Sequence, residues 1–152
     1  MHAVKSICYL LFAVNAAAIP MNQTLGLEAR DKTLLCRNTK GDVKISQGKA
    51  EGNIHAAPVV DPKVKSQKPK SGYPHGYGNN DGIKWPNSKC NDKNAELLEF
   101  PVYADGHLFP YNEKKTNLDP GIARGIFTYP SKDFCGVMAH KDGNSGPFAL
   151  CE

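Results

Sequence analysis

Five cysteines stand at positions 8, 36, 90, 135 and 151, and their use constrains this fold more than any other feature. Cys8 lies in an apolar run, Ile7 to Val14, that follows Lys5 and precedes Ala16-Ala17-Ala18. A short cationic start, an apolar run too short to span a bilayer, and small residues after it predict a secretory signal peptide over residues 1–18. Residues 19–30 (IPMNQTLGLEAR) are polar and end on Arg30, as a short pro-segment does. The glycosylation acceptor Asn22-Gln23-Thr24 would leave with it. A secreted domain over residues 31–152 would then keep Cys36, Cys90, Cys135 and Cys151, an even count in an oxidising compartment. Two disulfides are expected. Four cysteines allow three pairings, and the sequence does not choose among them. A bridge closing most of the chain would contribute about 4–5 kcal/mol by loop entropy. Zinc is the competing use of the cysteines, but no C-x-x-C or H-x-x-x-H spacing occurs, so neither metal nor other cofactor is expected.

Within 31–152 the punctuation argues for short strands. The chain carries 14 glycines and 11 prolines, too many for a helical bundle. A hydrophobic fraction of 40% with mean hydropathy of -0.47 excludes both a multi-span membrane protein and a fully disordered chain. Two of the 19 basic and one of the 15 acidic residues leave with residues 1–30, so the net charge falls from +4 to +3. That excess is too small to identify a nucleic-acid partner on its own. Thr33-Leu34-Leu35-Cys36 is a short apolar stretch followed by a turn at Lys40-Gly41-Asp42. Residues 43–53 (VKISQGKAEGN) form a weak helix candidate, handicapped by Gly48 and Gly52. Pro58 to Lys70, with Lys63, Lys65, Lys68 and Lys70, reads as a solvated loop, and Ser71 to Asn94 as turns and loop. Three β-branched and aromatic runs follow at 96–103, 123–129 and 134–140. The expectation is an α+β domain, one small helix on an antiparallel sheet.

Period two places Leu98, Phe100 and Val102 on one face of the first run and Glu99 on the other, which is expected to be open. For the hairpin of the next two runs, a five-residue loop, Pro130 to Phe134, pairs Arg124 with His140 and sends Phe127, Tyr129, Cys135 and Val137 to a buried row. A four-residue loop would put Arg124 and His140 on opposite faces. The first register sorts the side chains by polarity and is preferred. It gathers Glu99, Arg124 and His140 on one sheet face. A carboxylate, a guanidinium and an imidazole together suit RNA phosphodiester cleavage: a base for the 2′-hydroxyl, a counter-charge for the phosphorane and an acid for the leaving 5′-oxygen. The plainer reading of the Glu–Arg pair is a surface ion pair worth under about 1 kcal/mol.

The segments SGYPHGYGNNDG (71–82), LLEFPVYADGH (97–107), ARGIFTYPSKDFCGVMAH (123–140) and PFALC (147–151) resemble the microbial guanyl-specific ribonucleases, and within them the fungal ribotoxins. LEAR (27–30), GKAEGNIHAAP (48–58) and the four later cysteines are also similar to that group. The resemblance implies a small helix on a twisted antiparallel sheet of about five strands, with long loops and disulfides Cys36–Cys151 and Cys90–Cys135. By motif it implies Glu99 as general base, His140 as general acid, Arg124 as phosphate ligand and His75 as electrostatic partner of the base. Tyr73 would lie near the phosphate, and Phe148 would shape the site's electrostatics. Tyr77 would stack on guanine, Asn79 and Asn80 would supply backbone or amide contacts, and Asp81 would accept from the guanine edge. His55 and His107 fall outside these motifs and read as structural or surface, and Trp85 as a loop anchor.

The function implied is a secreted ribonuclease cutting RNA 3′ of guanine through a 2′,3′-cyclic phosphate, and a ribotoxin acting on the sarcin–ricin loop of large-subunit rRNA. A broader guanyl-preferring ribonuclease is the alternative. A non-catalytic binding protein on the same scaffold is a third reading; it expects loss of the reactive set, yet all four residues are present. The lysines of 58–70, with Lys84, Lys89, Lys93, Lys114 and Lys115, would add sequence-independent RNA affinity. An acidic membrane surface during cell entry is a further expected partner, and a monomer the expected state.

Overall fold

A computed structural model describes residues 31–152, so the expected signal peptide and pro-segment lie outside the described residues. Strands β1 (Thr33–Cys36) and β2 (Val43–Ser46) form a small antiparallel hairpin in which Leu34 faces Ile45. Helix α1 (Gln47–Ala56) follows at once. Ser46 caps it, its hydroxyl accepting from the Lys49 N–H at 3.0 Å. Ala57, extended because Pro58 follows, ends it. Two interior glycines make this helix weak by propensity, so packing must hold it. Ala50, Asn53 and Ile54 are its buried residues.

The main sheet runs β3 (His75–Tyr77), β4 (Glu96–Val102), β5 (Ala123–Tyr129), β6 (Phe134–Asp142) and β7 (Ser145–Leu150) in that spatial order, all antiparallel. The expected α+β architecture is therefore found, with disulfides Cys36–Cys151 and Cys90–Cys135. The helix lies over the face carrying Leu98, Phe100, Phe127 and Val137. Its approach depends on Gly125: a Cβ there would lie 2.8 Å from Ile54 Cδ1 and 3.2 Å from Val102 Cγ1. Pro101 is tolerated inside β4 because β3 pairs only with Leu97 to Glu99, so among the described residues no strand on that side calls for its N–H.

Four expectations need correction. The Glu99 face is not open: Ile83, Trp85 and Cys90 from the long loop pack on Leu97, Ile126 and Met138, and Glu99 is only 9% exposed. Arg124 pairs with Met138, not His140, a shift of two residues that keeps Arg124 and His140 on one face. A bulge at the start of β6 leaves Cys135 without a partner, since Ile126 faces Gly136 and Phe127 faces Phe134. Cys135 thereby turns away from the Phe127 and Val137 row to join Trp85 and its partner Cys90. Finally, β3 lies inside the stretch read as turns and loop, and the chain forms a further strand, β7, at 145–150.

Candidate active site

Register alone assembles one row across the sheet. His75 faces Glu99, Glu99 faces Ile126, and Arg124 faces Pro101 on one side and Met138 on the other. His140 faces Phe148. Because side chains alternate along each strand, His75, Glu99, Arg124, His140 and Phe148 all project from the same face. The structure thus brings together the reactive set expected from the sequence, on strands rather than on loops.

Glu99 is the centre of the set. Its Oε1 lies 3.2 Å from His75 Nε2, and its Oε2 lies 4.0 Å from Arg124 Nε. Oε2 and Nε are buried, and neither finds a hydrogen-bond partner among the described residues. Burial pushes the Glu99 carboxyl above its ordinary value, opposed by the charges of His75, Arg124 and His140. A carboxylate raised toward neutrality is better matched to accepting a proton at working pH.

Arg124 is 4% exposed, and backbone oxygens hold it in place. Its Nη1 donates to the carbonyls of Pro120, Gly121 and Ala123, each at 2.9 Å. The guanidinium carbon sits 5.4 Å from the Tyr73 ring centre, a cation–π contact, and Tyr73 in turn lies 4.6 Å from the His75 ring. At the far end of the row, His140 stacks on Phe148 with ring centres 3.9 Å apart. Its Nδ1 is 2.8 Å from the Gly146 carbonyl, which can only accept. The proton therefore resides on Nδ1 in the neutral ring, and the Nε2 lone pair is left for a proton in transit.

The segment after His75 closes one side of the site. Tyr77 meets Trp85 and Phe148 edge-on, with ring centres at 6.1 and 6.4 Å. Its hydroxyl donates to Asn79 Oδ1 at 3.3 Å, and burial, with Asp81 and Glu99 nearby, pushes its pKa up to about 12. The Asn79 amide is occupied within the loop, donating to the Ile83 carbonyl and accepting from the Ile83 N–H, both at 2.9 Å. The Asn79 carbonyl also accepts from the Gly82 N–H at 3.0 Å, which leaves its backbone N–H and one Nδ2 hydrogen for a ligand. Asn80 is exposed, and exposed Asp81 accepts from the Phe148 N–H through Oδ2 at 3.3 Å, so its Oδ1 stays available. A polar cleft of about 490 Å³ opens beside this loop, lined among others by Tyr77, Asn79, Lys84 and Lys93. His55 and His107 are exposed and off the row, and Trp85 is buried, as expected.

Two supports went unread in the sequence. Asn38, in the β1–β2 turn, donates through Nδ2 to the carbonyls of His140 at 2.7 Å and Gly143 at 2.9 Å, and its Oδ1 accepts from the Gly143 N–H at 3.1 Å. Tyr103 ties the turn that holds Arg124 by donating to the Asp119 carbonyl at 2.6 Å. Both act over contacts that no local pattern encodes.

A ribonuclease family model matches residues 35–152. Ribonuclease clavin of Aspergillus clavatus is 38% identical, and ribonuclease alpha-sarcin of Aspergillus giganteus 37%, each alignment covering 99% of both chains. The crystal structure of the Aspergillus ribotoxin restrictocin superposes with a TM-score of 0.67 at 37% identity, covering 80% of this chain and 99% of that one. Restrictocin bound to a 29-mer sarcin/ricin domain RNA analog gives 0.66 at 36% identity with the same coverage. With a family match over most of its length and near end-to-end alignment to two fungal enzymes, this chain belongs to the ribonuclease family and is an endoribonuclease of the ribotoxin type.

Proposed function

We propose that the protein cleaves RNA on the 3′ side of guanine, with Glu99 as general base and His140 as general acid. Glu99 takes the proton of the 2′-hydroxyl, and the released oxygen attacks the adjacent phosphorus to form a 2′,3′-cyclic phosphate. His140, protonated at Nε2, gives that proton to the departing 5′-oxygen while its Nδ1–H stays on the Gly146 carbonyl. Water then opens the cyclic ester to a 3′-phosphate, with the two groups exchanging roles. Arg124 faces the charge that develops on the non-bridging oxygens, and in a buried site such a preset cation is worth far more than in water. Its unpartnered Nε and the unpartnered Oε2 of Glu99 are the groups that phosphate and hydroxyl would engage. His75, 3.2 Å from Glu99, holds the carboxylate's orientation and charge. Tyr73 flanks the guanidinium, and Phe148 restricts water around His140. No metal enters this scheme.

Base recognition falls to the loop after His75. Tyr77 stacks on guanine, Asp81 accepts from its edge through Oδ1, and Asn79 and Asn80 contribute backbone contacts. The physiological substrate in this reading is the sarcin–ricin loop of large-subunit rRNA, consistent with the restrictocin complex with an RNA analog of that domain. The protein is secreted as a monomer after removal of residues 1–18 and 19–30, and its lysine-rich loops can meet acidic membrane surfaces during cell entry.

The observation that carries the proposal is the single row in which buried Glu99 stands between His75 and Arg124, with His140 on the same face. Incubation with intact eukaryotic ribosomes and with naked RNA tests it. One discrete fragment from ribosomes supports ribotoxin action, and a ladder from both substrates supports a broader guanyl-preferring ribonuclease. Absence of cleavage in both would overturn the catalytic reading.

A further inference from the structure

We propose that Tyr103 is a positioning residue for RNA cleavage: its hydroxyl latches the turn at residues 119–121, whose carbonyls hold the guanidinium of Arg124 in its working orientation. The proposal rests on the reading of Arg124 as the counter-charge for the phosphate. Three observations support it.

The chain of contacts is continuous. Tyr103 donates to the Asp119 carbonyl at 2.6 Å, and one and two residues on, the carbonyls of Pro120 and Gly121 accept from Arg124 Nη1 at 2.9 Å. The turn is also closed on itself, since Asp119 Oδ1 accepts from the Gly121 N–H at 2.9 Å. Asn144 Nδ2 also reaches Asp119 Oδ1, but at 3.4 Å, so the 2.6 Å bond from Tyr103 is the shorter of the two ties on a turn that moves as a unit.

The fit between ring and turn is close. Gly121 has φ +64 and a Cβ built there would lie 3.3 Å from Tyr103 Cε1, so a side chain there would be both strained and crowded against the ring. The ring itself has a stacking partner. His107 stacks on it with centres 4.0 Å apart and an interplanar angle of 13°, and Asp105 holds the His107 imidazole at 2.6 Å. Burial, with the nearby Asp119 carboxylate, pushes the Tyr103 hydroxyl above its ordinary pKa, so it remains a proton donor through the working range.

Besides these carbonyls, the Tyr73 ring lies 5.4 Å from the Arg124 guanidinium carbon. Among the described residues the Arg124 Nε is unpartnered, and the carboxylate oxygen of Glu99 is 4.0 Å away. Among the described residues Nη1 carries all the hydrogen bonds of Arg124, and two of the three acceptors belong to the latched turn. Releasing the turn would let the guanidinium swing away from Glu99, whose facing charges are His75, Arg124 and His140.

The test is Tyr103→Phe in the full protein, assayed on a guanylyl dinucleotide across pH, alone and combined with Arg124→Lys. Tyr103→Phe is expected to lower kcat roughly tenfold with KM changed less than about twofold, since misplacing a charge near the reacting atoms costs rate rather than binding. The acid limb of the pH–rate profile should move upward, because Arg124 is one of the charges holding Glu99 down. A purely structural role would leave that limb in place. In the Arg124→Lys background, where the forked donor is already gone, Tyr103→Phe should add no further loss. An unchanged kcat and acid limb in Tyr103→Phe, beside a strongly impaired Arg124→Lys, overturns the proposal alone. Equal losses from Tyr103→Phe in both backgrounds overturn it too. Full activity of Arg124→Lys overturns the reading of Arg124, and the proposal with it.

Discussion

Asn38→Ala removes a clasp that joins the β1–β2 turn to the hairpin bearing His140. Three hydrogen bonds cross between these segments through one amide, at 2.7, 2.9 and 3.1 Å, to partners more than 100 residues away in sequence. At about 1 kcal/mol each for neutral bonds, and partly exposed so that water can replace some of them, the loss should be about 2–3 kcal/mol. Unfolding entropy near 2.1 cal/mol/K per residue gives roughly 0.26 kcal/mol per degree for a domain of about 120 residues, so the melting midpoint should fall by about 8–12 °C. Thermal unfolding followed by circular dichroism measures this directly. Asn38→Asp keeps the acceptor for Gly143 but sets a carboxylate against two carbonyl oxygens, and should destabilise at least as much at neutral pH. Activity should fall severalfold below the melting range, because His140 supplies one of the lost carbonyls and Gly146, in the same hairpin, takes its Nδ1–H. A midpoint within about 2 °C of wild type for Asn38→Ala would refute the reasoning.

Glu99→Gln should lower kcat by about 10²–10⁴ with little change in substrate binding, as loss of a general base does. The same variant has a signature in stability. Burial raises the folded-state pKa of Glu99, so its contribution is present below the ordinary carboxylate range and lost as pH rises through the raised value. The midpoint of Glu99→Gln minus that of wild type should therefore grow with pH across this window, and a difference that shrinks would contradict the sign. Gly125→Val should cost about 1–3 kcal/mol in chemical denaturation, since the space beside Ile54 and Val102 cannot take a side chain. Breaking Cys36–Cys151 with a double alanine variant should cost more than breaking Cys90–Cys135. Their sequence separations of 115 and 45 give about 4.8 and 4.0 kcal/mol by loop entropy, and a reversed order in urea titrations would show that entropy does not govern.

What the sequence could reveal followed the range of its signals. The row Leu98, Phe100 and Val102 is a local period, and it is buried on one face as expected, against the helix. The register of Arg124 is not local. It depends on a turn in which Thr128 accepts from the Asp133 N–H and bonds Ser131, and on the bulge that displaces Cys135. Parity nevertheless survived the two-residue shift, which is why the site was legible although its pairing was not. The closing of the Glu99 face was hidden because Ile83 and Trp85, which pack on Leu97, Ile126 and Met138, come from a glycine- and asparagine-rich loop that reads as solvated. Strands β3 and β7 escaped notice for a related reason. His75-Gly76-Tyr77 is too short to show a period, and Gly146 with Pro147 interrupts the other. The individual roles of His75 and Phe148 came from motif resemblance, and spacing alone did not supply them.

The central claim is that Glu99 and His140 pass a proton into and out of an RNA linkage that ends in a 2′,3′-cyclic phosphate on guanosine. End-group analysis of a sarcin–ricin RNA oligonucleotide treated with the protein measures this most directly, with Glu99→Gln and His140→Gln in parallel. One new 3′ end at a guanosine is expected, trapped early as the cyclic phosphate, and no such product from either variant in the same time. New ends carrying 5′-phosphates, cleavage away from guanosine, or undiminished cutting by Glu99→Gln would contradict it.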